Sequence, residues 1–278
     1  MGSKEKVLAL LEQNKTVYVS GEKIAQDLGL SRNAVWKAIN ELRKQGYNIE
    51  AVSKKGYLLG TANDIISKEG ILSYLKNSSE DTASKIYIYD SLESTNKTAK
   101  ELAISGHGHG TLVVSCKQQS GRGRKDHFFC SPDGGIYMSI ILTPDKLPVL
   151  EPDVITSYTG VAVCEAIRNL CGLEAAIKPI NDLFINGKKI CGILTESGTE
   201  FDSGLVQWIV VGIGINFNPD ISSFPEELQS IVGTLYKPGE ETISKNQLVA
   251  DVYSRLTDWS NPDKETIVNE YKRLIIKP

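Results

Sequence analysis

An α+β fold in two parts is predicted for this chain by three observations. Apolar residues recur at helical spacing up to Gly46, the pattern switches to period two directly after it, and beyond residue 68 short strand patterns are interleaved with helical ones. The front part therefore reads as helices closed by a hairpin, and the rear part as a mixed, largely antiparallel sheet backed by helices. At 278 residues the chain exceeds what one core usually needs, so two domains are expected, residues 1–60 and 69–278, joined by a polar linker at 61–68.

In the front part, KEKVLALLEQN predicts a short amphipathic helix that buries Val7, Leu8, Leu10 and Leu11. Ser20 is suited to cap a second helix with the stripe Ile24, Ala25 and Leu28, and Gly29 stands where a left-handed terminal residue is wanted. Ser31 can cap a third helix in which Val35, Ile39 and Leu42 repeat on one side while Arg32, Asn33 and Lys37 hold the other. Tyr47 and Ile49 then alternate with Asn48 and Glu50, SKKG turns the chain, and Tyr57 to Leu59 returns.

That order is the order of a winged helix-turn-helix. Ser31, Arg32, Asn33 and Lys37 would face a DNA groove, and Lys54 and Lys55 on the wing would meet phosphates. A three-helix module used for protein contacts has the same periodicity. Charge favours DNA: residues 1–60 hold ten Lys/Arg against six Asp/Glu, while the rest of a chain of net charge -3 carries -7.

In the rear part, strands are expected at IYIYD, TLVVSCK, GIYMSIIL, AAIKPINDLFI, KKICGILTES and LVQWIVVGIGINFN. Helices are expected at SLESTNKTAKELAISG, DVITSYTGVAVCEAIRNLCG, NQLVADVYSRLTDW and ETIVNEYKRL. Strands joined by short turns argue for a largely antiparallel sheet rather than a doubly wound parallel one.

Composition narrows the function classes. Hydrophobic residues at 41% and charged residues at 23% are ordinary for a globular protein. The apolar runs at Val7–Leu11 and near Trp208–Ile215 are too short for a signal segment or a membrane span, so a cytosolic address and no membrane partner are expected. Five cysteines without a CxxC pair suggest neither a disulfide framework nor a zinc knuckle. His107 and His109 sit among glycines with no acidic or thiol partner at ligand spacing, so no metal site is expected.

The chemistry concentrates in four stretches. In QQSGRGRKDHFFCSPDGG, Gly121 and Gly123 allow close backbone approach, and Arg122 and Arg124 offer planar forks for phosphate or carboxylate. Taken alone, GRGR is equally a solvated hairpin tip or a nonspecific RNA-type patch. SLESTN puts Ser94, Thr95 and Asn96 at a helix start, where they either cap the helix or meet a polar ligand. IKPINDLFINGKKICGIL sets Lys178, Asn181 and Asp182 between apolar residues, and GIGIN ends a strand on Asn216, an amide suited to a nucleotide.

Together and in this order, the ESTN segment, the Q..GRGR loop followed by SP and GIYMS, the KPIND block, the KKICGIL strand and GIGIN resemble the bifunctional biotin protein ligases that also act as biotin operon repressors. The resemblance covers essentially the whole chain and implies a catalytic domain of the class II aminoacyl-tRNA synthetase/biotin ligase type. It implies that Ser94, Thr95 and Asn96 hold the biotin ureido ring with Gln118 nearby, and that Arg122, Gly123 and Arg124 close over biotin and its adenylate. Lys178 would contact the biotin carboxylate and then the acyl phosphate, so Lys178, Arg122 and Arg124 are the catalytic candidates. Arg124, Asn181 and Asn216 would bind the nucleotide.

The implied reaction uses biotin, ATP and Mg2+ to make biotinyl-5'-AMP and passes biotin to a lysine of a biotin carboxyl carrier protein. The implied regulation is binding of operator DNA by a homodimer carrying the adenylate. Three departures stand out: Lys125, Asp126 and His127 replace the usual glycine and basic residue after GRGR, KPIND lacks an aromatic residue, and the SH3-like barrel that usually follows YKRLIIKP is not expected here. These departures leave open a catalytically impaired biotin sensor. Related folds leave open a ligase for lipoate or another acyl acid.

Overall fold

The computed structural model describes residues 2–15, 17–60, 65–76, 79–124, 127–200, 202–258 and 263–276. Contacts divide the chain into two compact units, Met1–Ser78 with Ile243–Ala250, and Ser79–Thr242 with Asp251–Pro278.

The first unit holds α1 (Ser3–Gln13), α2 (Gly21–Leu28), α3 (Arg32–Lys44), β1 (Ile49–Val52), β2 (Gly56–Leu59) and α4 (Lys68–Tyr74). Its caps are those the sequence suggests. Ser20 Oγ accepts from Lys23 N–H and Ser31 Oγ from Ala34 N–H, each at 3.1 Å. Gly29 ends α2 at φ 63°, a conformation that costs glycine little. Val7, Leu8, Leu11, Ile24, Val35, Ile39, Leu42, Ile49 and Leu59 form one buried core. β1 and β2 pair antiparallel as a wing, from Ile49 opposite Leu59 to Val52 opposite Gly56.

Helix α4 was not legible as a helix in the sequence, although Ser67 caps it by accepting from Gly70 N–H at 3.0 Å. Residues 243–250 join this unit because Asn246, fully buried, accepts from Ser67 N–H at 3.0 Å and donates to Ile65 O at 2.9 Å. Both bonds satisfy backbone groups of the 65–67 segment.

The second unit holds α5 (Glu80–Ser84), β3 (Ile86–Tyr89), α6 (Thr95–Ile104), β4 (Thr111–Ser115), β5 (Ile136–Leu142), α7 (Pro152–Cys171), β6 (Ala176–Lys178), β7 (Asp182–Ile185), β8 (Lys188–Thr199), β9 (Val206–Ile215), α8 (Glu226–Gln229), the end of α9 (Lys245–Thr257) and α10 (Lys264–Leu274). Seven strands form one sheet in the order β3-β4-β5-β9-β8-β7-β6. Only β3 and β4 run parallel, and every other neighbour is antiparallel.

The expected strand AAIKPINDLFI is instead a hairpin, β6–turn–β7. Pro179 has no N–H for a ladder, and Asn181 turns toward β8, where its O accepts from Ile193 N–H at 2.9 Å and its Nδ2 donates to Ile193 O at 2.8 Å.

Alternation along the strands separates the two faces of the sheet. Helix α6 lies on the face that carries Ser139, Gly212 and Glu196, through Asn96 and Lys100. Helix α7 meets the opposite face, where Thr156 Oγ1 donates to Thr195 Oγ1 at 2.8 Å. Covered on both sides, β4 and β5 are buried along their whole length.

Candidate functional site

The site grows from the start of α6. Parallel pairing of β3 with β4 continues past both strands as a bridge between Leu92 and Gln118, which sets Gln118 against the first turn of α6. Thr95 N–H donates to Gln118 Oε1 at 2.8 Å, and Thr95 Oγ1 lies 3.2 Å from the same oxygen. Gln118 Nε2 donates to Ser131 Oγ at 2.9 Å, and Ser131 donates to Phe129 O at 3.0 Å. Ser94 begins α6 and is 2% exposed, yet its side chain does not cap the helix. Of the two roles the sequence left open for this hydroxyl, capping is not the one it performs.

Asn96 is buried as well. Its Nδ2 donates to Glu196 Oε2 at 2.8 Å and to Leu194 O at 3.3 Å, while its Oδ1 accepts from Ser139 Oγ at 2.6 Å. Ser139 Oγ also lies 2.8 Å from Thr95 Oγ1, and Lys100 Nζ lies 2.8 Å from Glu196 Oε1. Burial alone would push the Glu196 carboxyl up, but hydrogen bonds from Lys100 and Asn96 outweigh it and hold the group below the usual glutamate range. Glycine at 212 makes the arrangement possible, because a Cβ there would overlap the Asn96 amide.

GRGR forms one arm of a small hairpin. Phe129 N–H donates to Gly121 O at 2.8 Å, Gly123 N–H to His127 O at 2.7 Å, and Arg122 bridges to Phe128. The arm presents Arg122 and Arg124 exposed, and it lays the Phe129 ring over Gly192 and Gly214, where a Cβ at either position would crowd the ring. Lys125 and Asp126 lie outside the described residues.

Two cavities of about 290 Å³ each meet beneath this hairpin. The first is lined by Ser94, Thr95, Asn96, Gln118, Arg122, Gly123, Arg124, His127 and Asn181. The second is lined by Lys178, Asn216 and a set of apolar side chains that includes Phe184, Phe224, Leu228 and Val232. Phe128, Phe129, Asp182 and Lys189 line both.

The structure thus brings eight of the ten sequence-selected ligand residues to one cavity and separates two, Lys178 and Asn216, from it. Lys178 ends β6 with its Nζ 5.0 Å from the centre of the Phe184 ring, in the second cavity only. Asn216 shares that cavity, with Nδ2 donating to Gly233 O at 3.0 Å and a buried Oδ1 that has no hydrogen-bond partner. Lys189, which sequence reasoning passed over, is the cation lining both cavities, and it pairs with Asp182 at 2.7 Å. Ser139, Ser131 and Glu196 were missed too. A signal existed for Ser139, the single polar residue in the buried strand IYMSIIL.

Burial pushes the thiols of Cys130 and Cys191 up, away from the reactive thiolate. Among the described residues no group of three or more His, Cys, Asp or Glu could hold a metal ion. His107 bonds Tyr87 and Leu102, and His109 bonds Thr143 and Thr257, as packed loop residues do.

The residues expected to read DNA lie on the exposed side of α3. Arg32, Asn33 and Lys37 are exposed, with Arg32 paired to Glu22 at 2.7 Å and Ser31 committed to its cap. Trp36, 55% exposed between them, is a large apolar side chain that the sequence reading had not singled out. On the wing, Lys54 turns the chain at φ 65°, and Lys55 Nζ lies 5.6 Å from the Tyr18 ring.

Comparison with known proteins agrees with this geometry. Residues 88–216 match the biotin/lipoate A/B protein ligase family, and residues 3–58 match a helix-turn-helix domain. The chain is 41% identical over 247 residues to the bifunctional ligase/repressor BirA of Bacillus subtilis, covering 88% of this chain and 74% of that one. The chain belongs to the bifunctional ligase/repressor family. Its similarity to the Escherichia coli bifunctional ligase/repressor BirA is 30% over 212 residues, 76% of this chain and 62% of that protein. Among solved structures, the Aquifex aeolicus biotin protein ligase in complex with biotin and ATP shares the fold, with a TM-score of 0.58 at 24% identity over 69% of this chain and 78% of that one. No helix among the described residues is long and apolar enough to cross a membrane.

Proposed function

We propose that this protein is a biotin protein ligase and biotin-responsive repressor. One observation carries the ligase reading: a cavity that sets hydroxyls and amides beside Arg122 and Arg124 and a second, more apolar cavity meet at Lys189 and Asp182. A ligand with a polar ring at one end, a nucleotide at the other and a reacting carboxylate between them fits that division.

Ser94, Thr95, Asn96 and Gln118 hold the ureido ring in the first cavity, while the nucleotide lies in the second. There the unpartnered Oδ1 of Asn216 accepts from an amino group of the base. Asn181, whose Nδ2 is committed to Ile193 O, shapes the wall between them. The biotin carboxylate attacks the α-phosphorus of ATP, giving biotinyl-5'-AMP and releasing pyrophosphate. An amine of the acceptor lysine then attacks the acyl carbon and AMP leaves. A biotin carboxyl carrier protein is the proposed acceptor.

No protein nucleophile is needed, so catalysis rests on alignment and on positive charge placed where negative charge grows. Lys189 stands at the junction, Lys178 on the nucleotide side, and Arg122 and Arg124 on the hairpin above. Closure of that hairpin would exclude water from a hydrolysable anhydride. Mg2+ would enter mainly on ATP phosphates, with Asp182 the carboxylate that lines both cavities, and would supply further charge stabilisation.

For repression, α3 enters the major groove and the wing contacts phosphates, with Ser31, Arg32, Asn33, Lys37, Lys54 and Lys55 as the contact set. A homodimer formed on the adenylate would present two reading helices to two half-sites. A cytosolic setting, where five thiols stay reduced, fits both activities.

The deciding experiment gives the purified protein biotin, ATP and Mg2+ and measures pyrophosphate and biotinyl-5'-AMP, with Arg124→Ala and Lys178→Ala as comparisons. Binding of biotin without any adenylate would reject the ligase reading and leave a sensor.

A further inference from the structure

We propose that Glu196 is a positioning residue for the first cavity: anchored by Lys100, its carboxylate fixes which way the Asn96 amide points, and so sets the donors and acceptors offered to a cyclic urea. The proposal rests on biotin's ring occupying this cavity. Glu196 does not line the cavity and acts through Asn96.

An asparagine amide has nearly the same shape in either orientation, so its neighbours must choose. An ionised carboxylate accepts and cannot donate, and the same holds for a backbone carbonyl. With Glu196 Oε2 at 2.8 Å and Leu194 O at 3.3 Å on one side, that side of Asn96 must be the NH2 group. Oδ1 therefore faces Ser139, which spends its single proton on it at 2.6 Å.

The consequence propagates. Ser139 cannot also donate to Thr95 Oγ1, 2.8 Å away, so the Thr95 hydroxyl must itself donate, either to Ser139 or to Gln118 Oε1. A Thr95 lone pair is then left for an N–H of the ligand. Gln118 Oε1 already takes Thr95 N–H, which leaves Gln118 Nε2 to face Ser131. One acid on β8 thereby orients groups on α6, β5 and the segment after β4. Turning the Asn96 amide round frees Ser139 to donate to Thr95, which takes up one of the two lone pairs otherwise open to a urea N–H.

Lys100 reaches Glu196 from α6, and the Arg122 guanidinium acts on it from the hairpin, while its partner on β9 is the uncharged Val210. Both cations favour the ionised form on which the orientation depends.

The test is titration calorimetry of the full chain with biotin and, separately, with ATP. Glu196→Gln keeps size but can donate, so both amide orientations become available. We expect biotin affinity to fall by about tenfold or more with ATP affinity within about twofold. Lys100→Met leaves the carboxylate in place without its anchor, and biotin affinity should then decline as pH falls from about 8 to 5, where the parent protein stays flat.

Unchanged biotin affinity in Glu196→Gln overturns the proposal, as does an equal loss for biotin and ATP in a folded variant. If Glu196→Gln fails to fold, a flat pH profile in Lys100→Met overturns it and an acid-sensitive one supports it. A parent protein that ignores biotin rejects the placement of the ring, whereas tight binding by both parent and Glu196→Gln rejects the positioning role alone.

Discussion

Lys189 Nζ lies 2.7 Å from Asp182 Oδ1 across the β7–β8 pair, and both side chains line both cavities. The register of these strands shifts between Leu183 and Phe184, a bulge that re-aims side chains next to the site. Lys189→Ala should therefore lower biotinyl-5'-AMP formation by about 10- to 100-fold, the worth of a charged hydrogen bond at the reacting group. Lys178→Ala, on the nucleotide side only, should raise the KM for ATP more than it lowers kcat. Single-turnover kinetics on both variants checks the order, and a larger kcat loss for Lys178→Ala would reverse the assignment.

Gly212→Ala puts a methyl group into the space of the Asn96 amide. Overpacking of this kind costs about 1–3 kcal/mol, so the melting temperature should fall. Biotin binding should weaken beyond what the fold loses, because Asn96 must move. Melting curves with and without biotin measure both effects, and a variant with normal ligand-induced stabilisation would contradict the close contact.

Biotin and lipoate should compete poorly. The first cavity offers hydroxyls and amides from Ser94, Thr95 and Gln118, which match a urea and leave a dithiolane ring with unpaired polar neighbours. Lipoate that displaced biotin at equal concentration would assign the cavity to the other branch of the matched family.

Arg32 pairs with Glu22 on an exposed surface, a bond worth little to stability. Arg32→Ala should therefore keep the melting temperature while weakening operator binding more than binding to random DNA. Lys54→Ala should weaken both alike and flatten the salt dependence by about one unit of slope. Gel-shift titrations at several salt concentrations separate the two outcomes.

Glu12 in α1 has a fully buried side chain paired with Lys15 at 2.6 Å. Burial raises its carboxyl pKa, the Lys15 hydrogen bond and charge offset only part of that, and Glu69 adds to it. A carboxyl raised on folding contributes stability that is fully present below the unfolded value and is lost as pH rises through the folded value. Protection of α1 amides against hydrogen exchange should decrease over that range, and Glu12→Gln should remove the dependence.

Much of the first unit was legible because its signals are local. Ser20, Gly29 and Ser31 act within one turn of where they stand, and the Ile24, Val35, Ile39 and Leu42 stripes need only helical spacing. The ligand motifs of the second unit were legible as a set, and eight of the ten residues selected from them line one cavity. Residues that act through others were not. Glu196 reads as one acid in an exposed-looking strand end, and Lys189 as one of two adjacent lysines, until folding gives each its partner.

By itself the sequence determined the winged helix-turn-helix, the mixed sheet and the motif order, since periodicity, caps and turn residues act over a few positions. Only the tertiary structure decided that AAIKPINDLFI is a hairpin, that Lys189 rather than Lys178 reaches both cavities, and that Glu196 holds Asn96. Each of those depends on groups brought together across β7, β8 and α6, and the distance between such groups is set by sheet register, which no local pattern encodes.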